Sequence, residues 1–530
     1  MSSLATIPAL LARRAATRGD HSFLICDDEV LTFAEAEARS AALAKALVGI
    51  GAGKGTHVGL LYPNGASFVV GWLAAARIGA VTLPLSTFST PNELTGLIAN
   101  ADIEILLAAT GHRGRDFAEV LSEVTPIGHR PILAPTVPSL RRVEIGADVE
   151  VAAALAAGEA AVSEAALSDE LLAALEVRVT PADRMVIVHT SGSTSAPKGV
   201  IHQQGSLLGH VAVLNEFRGF TEDDVHFANS PFFWIGGFAF SLVGALIAGA
   251  TIVTSNAAAA SDVLDLLERT RPTLVNGFAA AVAHLAKDPS FPGRDLTSIR
   301  RGNLWPILPA DIKPADPELR HNMLGMTETA SVCLMWPDEA DQPEHRRGSF
   351  GKTVPGFESR IVDPDTGVEC PTGATGELWL RGAGLMEGYY GRTRSETFTP
   401  DGWFRTGDLF HIDDEGFHFF HGRHGDMIKT AGANVAPREV EAAILDATGL
   451  VSHVVGIDDA DRGQLVVAAV RLPVGESEPD HDELVRSLRE RLSAYKVPKR
   501  FVFLADADVP MMSSGKLDAR ALKALLAASS

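Results

Sequence analysis

Between residues 57 and 85 the chain alternates strand-like and helix-like segments, and this rhythm narrows the folds open to it more than any other feature. His57–Leu61 reads as a short buried strand, Tyr62-Pro63-Asn64-Gly65 as a turn, Phe68–Ile78 as a helix and Val81–Leu85 as a second strand. A strand–helix–strand order predicts a parallel sheet with covering helices. Phe33–Val48, Ala-rich and with helical spacing, is a further helix. Residues 147–176, rich in Ala and Glu, predict surface helix, and Met185–His189 a buried strand. A second rhythm follows, with strands near 251–254 and 273–276 and a helix near 261–269.

From Gly348 onward the texture changes. Short β-like runs at 358–362, 376–381 and 417–420 are separated by the turn sequences Asp363-Pro364-Asp365-Thr366-Gly367 and Asp413-Asp414-Glu415-Gly416. The tail reads as helix (Pro437–Ala447), strands (Val451–Ile457 and Leu465–Leu472) and helix (His481–Leu492), enough for a small α+β domain. The expected fold class is therefore α/β: a large multi-layer N-terminal region over 1–422, with a β-rich subdomain over 348–422, and a small α+β domain over 423–530.

At 530 residues the chain is too long for one simple core, and with 46% hydrophobic and 21% charged residues it can bury large ones. The formal charge of −20 comes without a basic patch, which argues against nucleic acid as a partner. Three cysteines, Cys26, Cys333 and Cys370, are far apart and odd in number, so no disulfide framework is implied and a reduced, cytoplasmic setting fits. At the N-terminus Arg13 and Arg14 follow the mildly apolar run Leu4–Ala12, the reverse of a secretory signal's order. Phe232–Val253 is uncharged and long enough to span a bilayer. Its glycines at 236, 237, 244 and 249 and its ending Thr251-Ile252-Val253 instead predict a loop, a buried helix and a buried strand, so no integral membrane segment is expected.

The chemistry concentrates after the strand 185–189. Thr190-Ser191-Gly192-Ser193-Thr194-Ser195-Ala196-Pro197-Lys198-Gly199 offers small residues that let backbone N–H groups approach phosphate oxygens, hydroxyl donors, and a cation at Lys198. It is not the common P-loop, because Pro197 precedes the lysine and Gly199 follows it. It resembles the signature loop of the adenylate-forming (ANL) superfamily, and further segments similar to that family occur in the expected order. They are Gly325-Met326-Thr327-Glu328-Thr329, Gly376-Glu377-Leu378, Gly402 to Asp408, Gly422-Arg423 with Asp426 and Lys429–Pro437, and Ser514-Gly515-Lys516. The resemblance is to the acyl-CoA synthetases, AMP-dependent acid–CoA ligases, and covers nearly the whole chain.

That resemblance implies two half-reactions: an acid and ATP give acyl-AMP and pyrophosphate, then CoA displaces AMP. Thr190, Ser191, Gly192, Ser193, Thr194 and Lys198 would bind ATP, Thr327 would bond the α-phosphate, and Glu328 with Thr194 would hold Mg²⁺. Lys516, on a mobile C-terminal domain, would bridge carboxylate and α-phosphate as negative charge builds up. Asp408 would take both ribose hydroxyls, Arg423 would touch ribose or phosphate beside a hinge at Gly425, and Lys429 to Gly432 would face the thiol donor. Phe233, Trp234 and Gly237 would border the acyl pocket; the motif Pro231-Phe232-Phe233-Trp234 lies where many relatives carry a histidine, and an aromatic wall favours an apolar acid, fatty, alicyclic or steroid-type, although core packing explains each aromatic taken alone.

Two departures concern adenine. Leu324 replaces the family's stacking aromatic before Gly325, and Asn303-Leu304-Trp305-Pro306 replaces a small-residue loop, with Trp305 a candidate stacking surface. The histidines 411, 418, 421 and 424 show a spacing that a strand does not gather on one face, which argues against zinc. Other readings stay open: an adenylation enzyme serving a carrier protein in trans, since the chain ends soon after Lys516, or a non-catalytic nucleotide- and acyl-binding relative. Oligomeric state stays open too, a homodimer included.

Overall fold

The computed structural model describes residues 6–528 except 129, 159–167, 191–196, 427, 431–432, 436, 460–462, 474, 493–495 and 513–516, and within elements it leaves the side chains at 429, 433 and 434 undescribed. By internal contacts the chain divides into two compact units: residues 6–190, 197–358 and 381–397 in the first, and 359–380 with 398–528 in the second.

The first unit carries two large sheets. One has seven strands in the order Gly388–Tyr389, Lys198–Gln203, Arg184–Thr190, Val81–Pro84, His57–Leu61, Ile105–Ala108, Arg142–Ile145. The last five run parallel, and the first two are antiparallel additions at one edge. The predicted unit at 57–85 appears here as strand His57–Leu61, helix Ala66–Arg77 and strand Val81–Pro84. The other sheet has six strands, in the order Arg301–Gly302, Leu274–Asn276, Val225–Ala228, Thr251–Thr254, Ser22–Cys26, Glu29–Thr32, parallel except for the final hairpin.

The apolar stretch 232–253 lies in this core. It forms a π-helix over Gly236–Val243, a short α-helix over Gly244–Ala248 and the buried strand Thr251–Thr254. Phe232 and Phe238 pack on Phe68 and Trp72 of the helix Ala66–Arg77, with ring centroids 5.5 Å (Phe68–Phe232) and 5.1 Å (Trp72–Phe238) apart. No helix among the described residues is long and apolar enough to cross a membrane. The Ala/Glu-rich stretch expected on the surface contains helices Asp148–Gly158 and Asp169–Glu176. They are not purely superficial: Val151, Leu155 and Leu172 join the main core.

A four-stranded sheet ordered Phe357–Val362, Gly376–Gly382, Phe404–Ile412, His418–Arg423, its last three strands antiparallel, lies mainly in the second unit. By internal contacts residues 359–380 and 398–422 group with the C-terminal part. These strands have an apolar centre of their own in Val362, Trp379 and Trp403. The remainder is a five-stranded sheet with helices Pro437–Thr448, His481–Arg491 and Ala519–Ala528.

Two histidines buried in the first unit tie stability to pH. Burial lowers both His202 and His210 to about 4, against an ordinary value of 6.5. Each is neutral in the fold and binds a proton more readily once unfolded, so its contribution is complete above pH 6.5 and is lost as pH falls toward 4. Replacing His202 by glutamine should flatten the fall in unfolding free energy, measured by urea titration between pH 6.5 and 4, by up to about 1.4 kcal/mol per pH unit. An unchanged slope would mean that His202 titrates normally.

Candidate active site

The strand Arg184–Thr190 is buried from Met185 to Val188, and it delivers the chain to the Gly/Ser loop. Ser191, Gly192, Ser193 and Thr194 lie outside the described residues. The chain returns at Lys198, whose register partner is Thr190, so the two ends of the loop are paired neighbours. Gly199 is required by close approach: a Cβ there would sit 2.8 Å from Ile187 Cγ2 and 3.3 Å from Tyr390 Cβ. Lys198 Nζ lies over the ring of Tyr389, 5.1 Å from its centroid.

Leu324–Gly325 forms a two-residue strand paired with Val332–Met335, and the Leu324 carbonyl accepts from Cys333 Sγ. Thr327–Thr329 then makes one 3₁₀ turn, closed by Ala330 at φ 59°. Three bonds from distant segments hold this turn. His202 Nε2 reaches the Thr327 carbonyl at 2.7 Å and, because a carbonyl oxygen only accepts, is the donor. Met386 N donates to the Glu328 carbonyl at 2.8 Å, and Tyr389 Oη donates to Glu328 Oε1 at 2.7 Å. Tyr389 thus touches both the loop lysine and the motif glutamate, although no sequence motif singled it out. Only the sheet pairing of Val200 with Tyr389 brings it there.

With Oε1 fixed by Tyr389, Glu328 presents a half-buried, oriented carboxylate. No group of three or more His, Cys, Asp or Glu able to hold a metal occurs among the described residues. A single carboxylate fits Mg²⁺, which takes one or two carboxylates and completes its shell with phosphate oxygens and water. Tyr389→Phe removes one charge-assisted bond, so adenylation should slow about ten- to a hundredfold. A stopped-flow pyrophosphate assay checks this, and a wild-type rate would show that the hydroxyl is idle.

The Pro231–Gly237 segment is shaped by backbone contacts. Phe232 N donates to Asn64 Oδ1 at 2.7 Å, and a Cβ at Gly237 would lie 2.1 Å from the Pro231 carbonyl oxygen, so only glycine fits. Phe233 is buried and Trp234 half-buried. Phe88 meets Phe233 and Trp234 edge-on at 5.6 and 6.4 Å, and Trp234 meets Phe278 at 5.6 Å. Phe278, 49% exposed, is the open end of this aromatic row. Phe88 and Phe278 lie far from 233–234 in sequence, and no local signal marked them.

Within the segment 303–306, Asn303 ties two parts of the chain together. Its Oδ1 accepts from Gly277 N at 3.0 Å and its Nδ2 donates to the Gly277 carbonyl at 2.9 Å. Leu304 is fully buried, and Trp305 packs partly buried against the same apolar cluster.

In the second unit Asp408 and Arg423 are register partners on adjacent strands, and Arg423 Nε lies 3.0 Å from Asp408 Oδ1. Asp408 is almost fully buried while the arginine side chain is largely exposed. Glu377 Oε1 accepts from Gly407 N at 2.9 Å, which fixes the turn before Asp408 and gives the Gly376-Glu377-Leu378 motif a structural task. Lys429 lies in the strand Ile428–Thr430. Gly432 and Lys516 lie outside the described residues. Of the four histidines, His411 and His421 meet ring to ring at 2.7 Å between Nδ1 and Nε2, whereas His418 turns to Ser359.

A phosphate-type loop between paired strands, an anchored Thr-Glu turn and a buried aspartate on an antiparallel sheet define a nucleotide-handling enzyme of two units. The family pattern described as AMP-binding enzyme matches residues 11–390, and that of the AMP-binding enzyme C-terminal domain matches 439–516. The chain belongs to the AMP-binding enzyme family, within the ANL superfamily, and its full-length kinship is with AMP-forming acid–CoA ligases. It is 31% identical to 4-coumarate–CoA ligase 5 of Oryza sativa subsp. japonica, over 97% of this chain and 93% of that protein. It is 30% identical to the sulfoacetate–CoA ligase of Cupriavidus necator, over 97% and 96%. The ATP-bound structure of MatB from Rhodopseudomonas palustris superposes with a TM-score of 0.79 at 25% identity, covering 97% of this chain and 98% of that one.

Proposed function

We propose that this protein is an acid–CoA ligase for an apolar carboxylic acid, fatty, alicyclic or steroid-type, which it activates as the acyl-adenylate with release of pyrophosphate before transfer to CoA. The observation that carries the reading is the pairing of Lys198 and Glu328 on one tyrosine beside the Gly/Ser loop. A fixed cation and a fixed carboxylate suit a triphosphate, the first directly and the second through a metal ion. Relatives with the same full-length organisation bear names that specify CoA as the acyl acceptor.

A carboxylate resists a thiol because its leaving group would be oxide; adenylation replaces that group with AMP. The barrier is charge, since two anions must meet, and the site answers with preorganised donors and cations. In this reading the loop donors at Thr190–Thr194 and Lys198 cradle the phosphates, Thr327 bonds the α-phosphate, and Lys516 bridges it to the incoming carboxylate. Glu328 and Thr194 would hold Mg²⁺, which supplies positive charge at the phosphates. Asp408 accepts from the ribose hydroxyls with Arg423 beside it. The domain 423–530 moves as a body about Gly425, and Lys429 and Gly432 then line the thiol's approach. The row Phe88, Phe233, Trp234 and Phe278 supports the apolar choice, because it offers ring edges and faces and no charged group.

Hydroxamate trapping across a panel of fatty, alicyclic, steroid-side-chain and aryl acids, with and without CoA, tests the whole reading. Apolar acids should give hydroxamate without CoA and thioester with it. Thioester only on a carrier protein would replace CoA as the acceptor, and no trapping with any acid would remove the adenylation step.

A further inference from the structure

The row of rings is only as specific as the backbone that holds it, and one remote side chain holds its inner end. Phe88 lies in the loop Ser86–Ser89, whose residues Thr87 and Ser89 are buried. Their carbonyls, on either side of the ring, must find donors inside the protein. Both find the same one: Arg115 donates from Nη1 to the Thr87 carbonyl at 2.5 Å and from Nη2 to the Ser89 carbonyl at 2.6 Å. A planar guanidinium serves two acceptors in one fixed geometry, which an ammonium group cannot do.

Arg115 itself stands on a rigid base. It belongs to the hairpin of Gly111–His112 and Arg115–Asp116, turned by Arg113 and Gly114 at φ 49° and 76°. A Cβ at Gly111 would lie 2.4 Å from the Arg115 carbonyl oxygen, so glycine is what lets the two strands pair this closely. The next residue, Asp116, caps the helix Phe117–Val124 by accepting from Ala118 N and Glu119 N. At the other end of the row, Asn229 does for Phe278 what Arg115 does for Phe88. Its Oδ1 accepts from Phe278 N at 2.8 Å and its Nδ2 donates to the Phe278 carbonyl at 3.0 Å.

We infer that Arg115 is a positioning residue for acyl selectivity: its two-carbonyl clamp sets where the Phe88 ring stands against Phe233 and Trp234, and so which apolar acids the pocket accepts. The inference rests on the proposed role of that aromatic row as the acyl wall. It predicts that loss of the fork affects acid recognition and leaves nucleotide handling alone.

The test compares Arg115→Ala, Arg115→Lys and, as a hairpin control, Arg113→Ala in the full-length enzyme. KM and kcat are measured for two or three acids that the wild-type protein adenylates and that differ in bulk, together with the Kd for ATP and the near-ultraviolet circular dichroism of the tryptophans. For Arg115→Ala, KM for the preferred acid should rise about tenfold with kcat and ATP affinity little changed, and the preference between bulky and small acids should narrow. The tryptophan dichroism should weaken as Trp234 loses its fixed neighbour. Arg115→Lys should recover part of the KM, and Arg113→Ala should behave as wild type. An unchanged acid preference in a folded Arg115→Ala or Arg115→Lys protein overturns the clamp, as does an equal fall of kcat for every acid. A wild-type enzyme that adenylates no apolar acid would instead remove the acyl-wall reading beneath it, a result seen before any variant is made.

Discussion

Replacing Lys516 by alanine is expected to slow acyl-adenylate formation by about 10²- to 10³-fold, the loss seen when one preorganised charge-stabilising group is removed. Lys516 closes the segment matched by the family's C-terminal domain pattern, which ends at that residue. Its proposed task is confined to the step in which two anions meet. Transfer from acyl-AMP to CoA replaces a mixed anhydride with a thioester and needs no such bridge. Single-turnover pyrophosphate release, set against thioester formation from supplied acyl-AMP, separates the steps. The first should collapse and the second stay within about threefold, a difference small against the loss of a transition-state contact. Equal damage to both would refute the assignment.

With Asp408 taking both ribose hydroxyls, as proposed, Asp408→Ala should weaken AMP or ATP binding by roughly 10²-fold or more, since hydrogen bonds to a charged acceptor are each worth about 1.5–3 kcal/mol. The geometry makes the aspartate well suited to that role. It is almost fully buried, it sits across the strand pair from Arg423, and the turn before it is fixed by Glu377. Asp408→Asn keeps one acceptor oxygen and should lose less. Isothermal titration with AMP decides between them, and unaltered affinity in Asp408→Ala would show that the carboxylate serves only to pair Arg423.

The parallel strands of the first unit's two sheets were legible from apolar periodicity alone. His57–Leu61 and Thr251–Thr254 occur where the pattern placed them, because a strand buried on both faces leaves an unbroken apolar run. The stretch 232–253 was also legible as a loop, helix and strand, although nothing in its residues announced a π-helix over Gly236–Val243. The motif residues could be named in order because each motif is local.

What holds those motifs could not be read in the same way. Tyr389 meets Glu328 across 61 residues and Lys198 across the edge of a sheet. Arg115 reaches the Phe88 loop, and Asn229 reaches Phe278, 49 residues on. The grouping of residues 359–380 and 398–422 with the C-terminal part likewise depends on which strands pair. Local periodicity and turn chemistry act between neighbours in the chain, so the amino-acid order determined the elements and the chemical types of the candidate site. Hydrogen bonds and ring contacts between distant segments exist only once the chain has folded, so tertiary structure alone decided which side chains orient the lysine, the glutamate and the aromatic row.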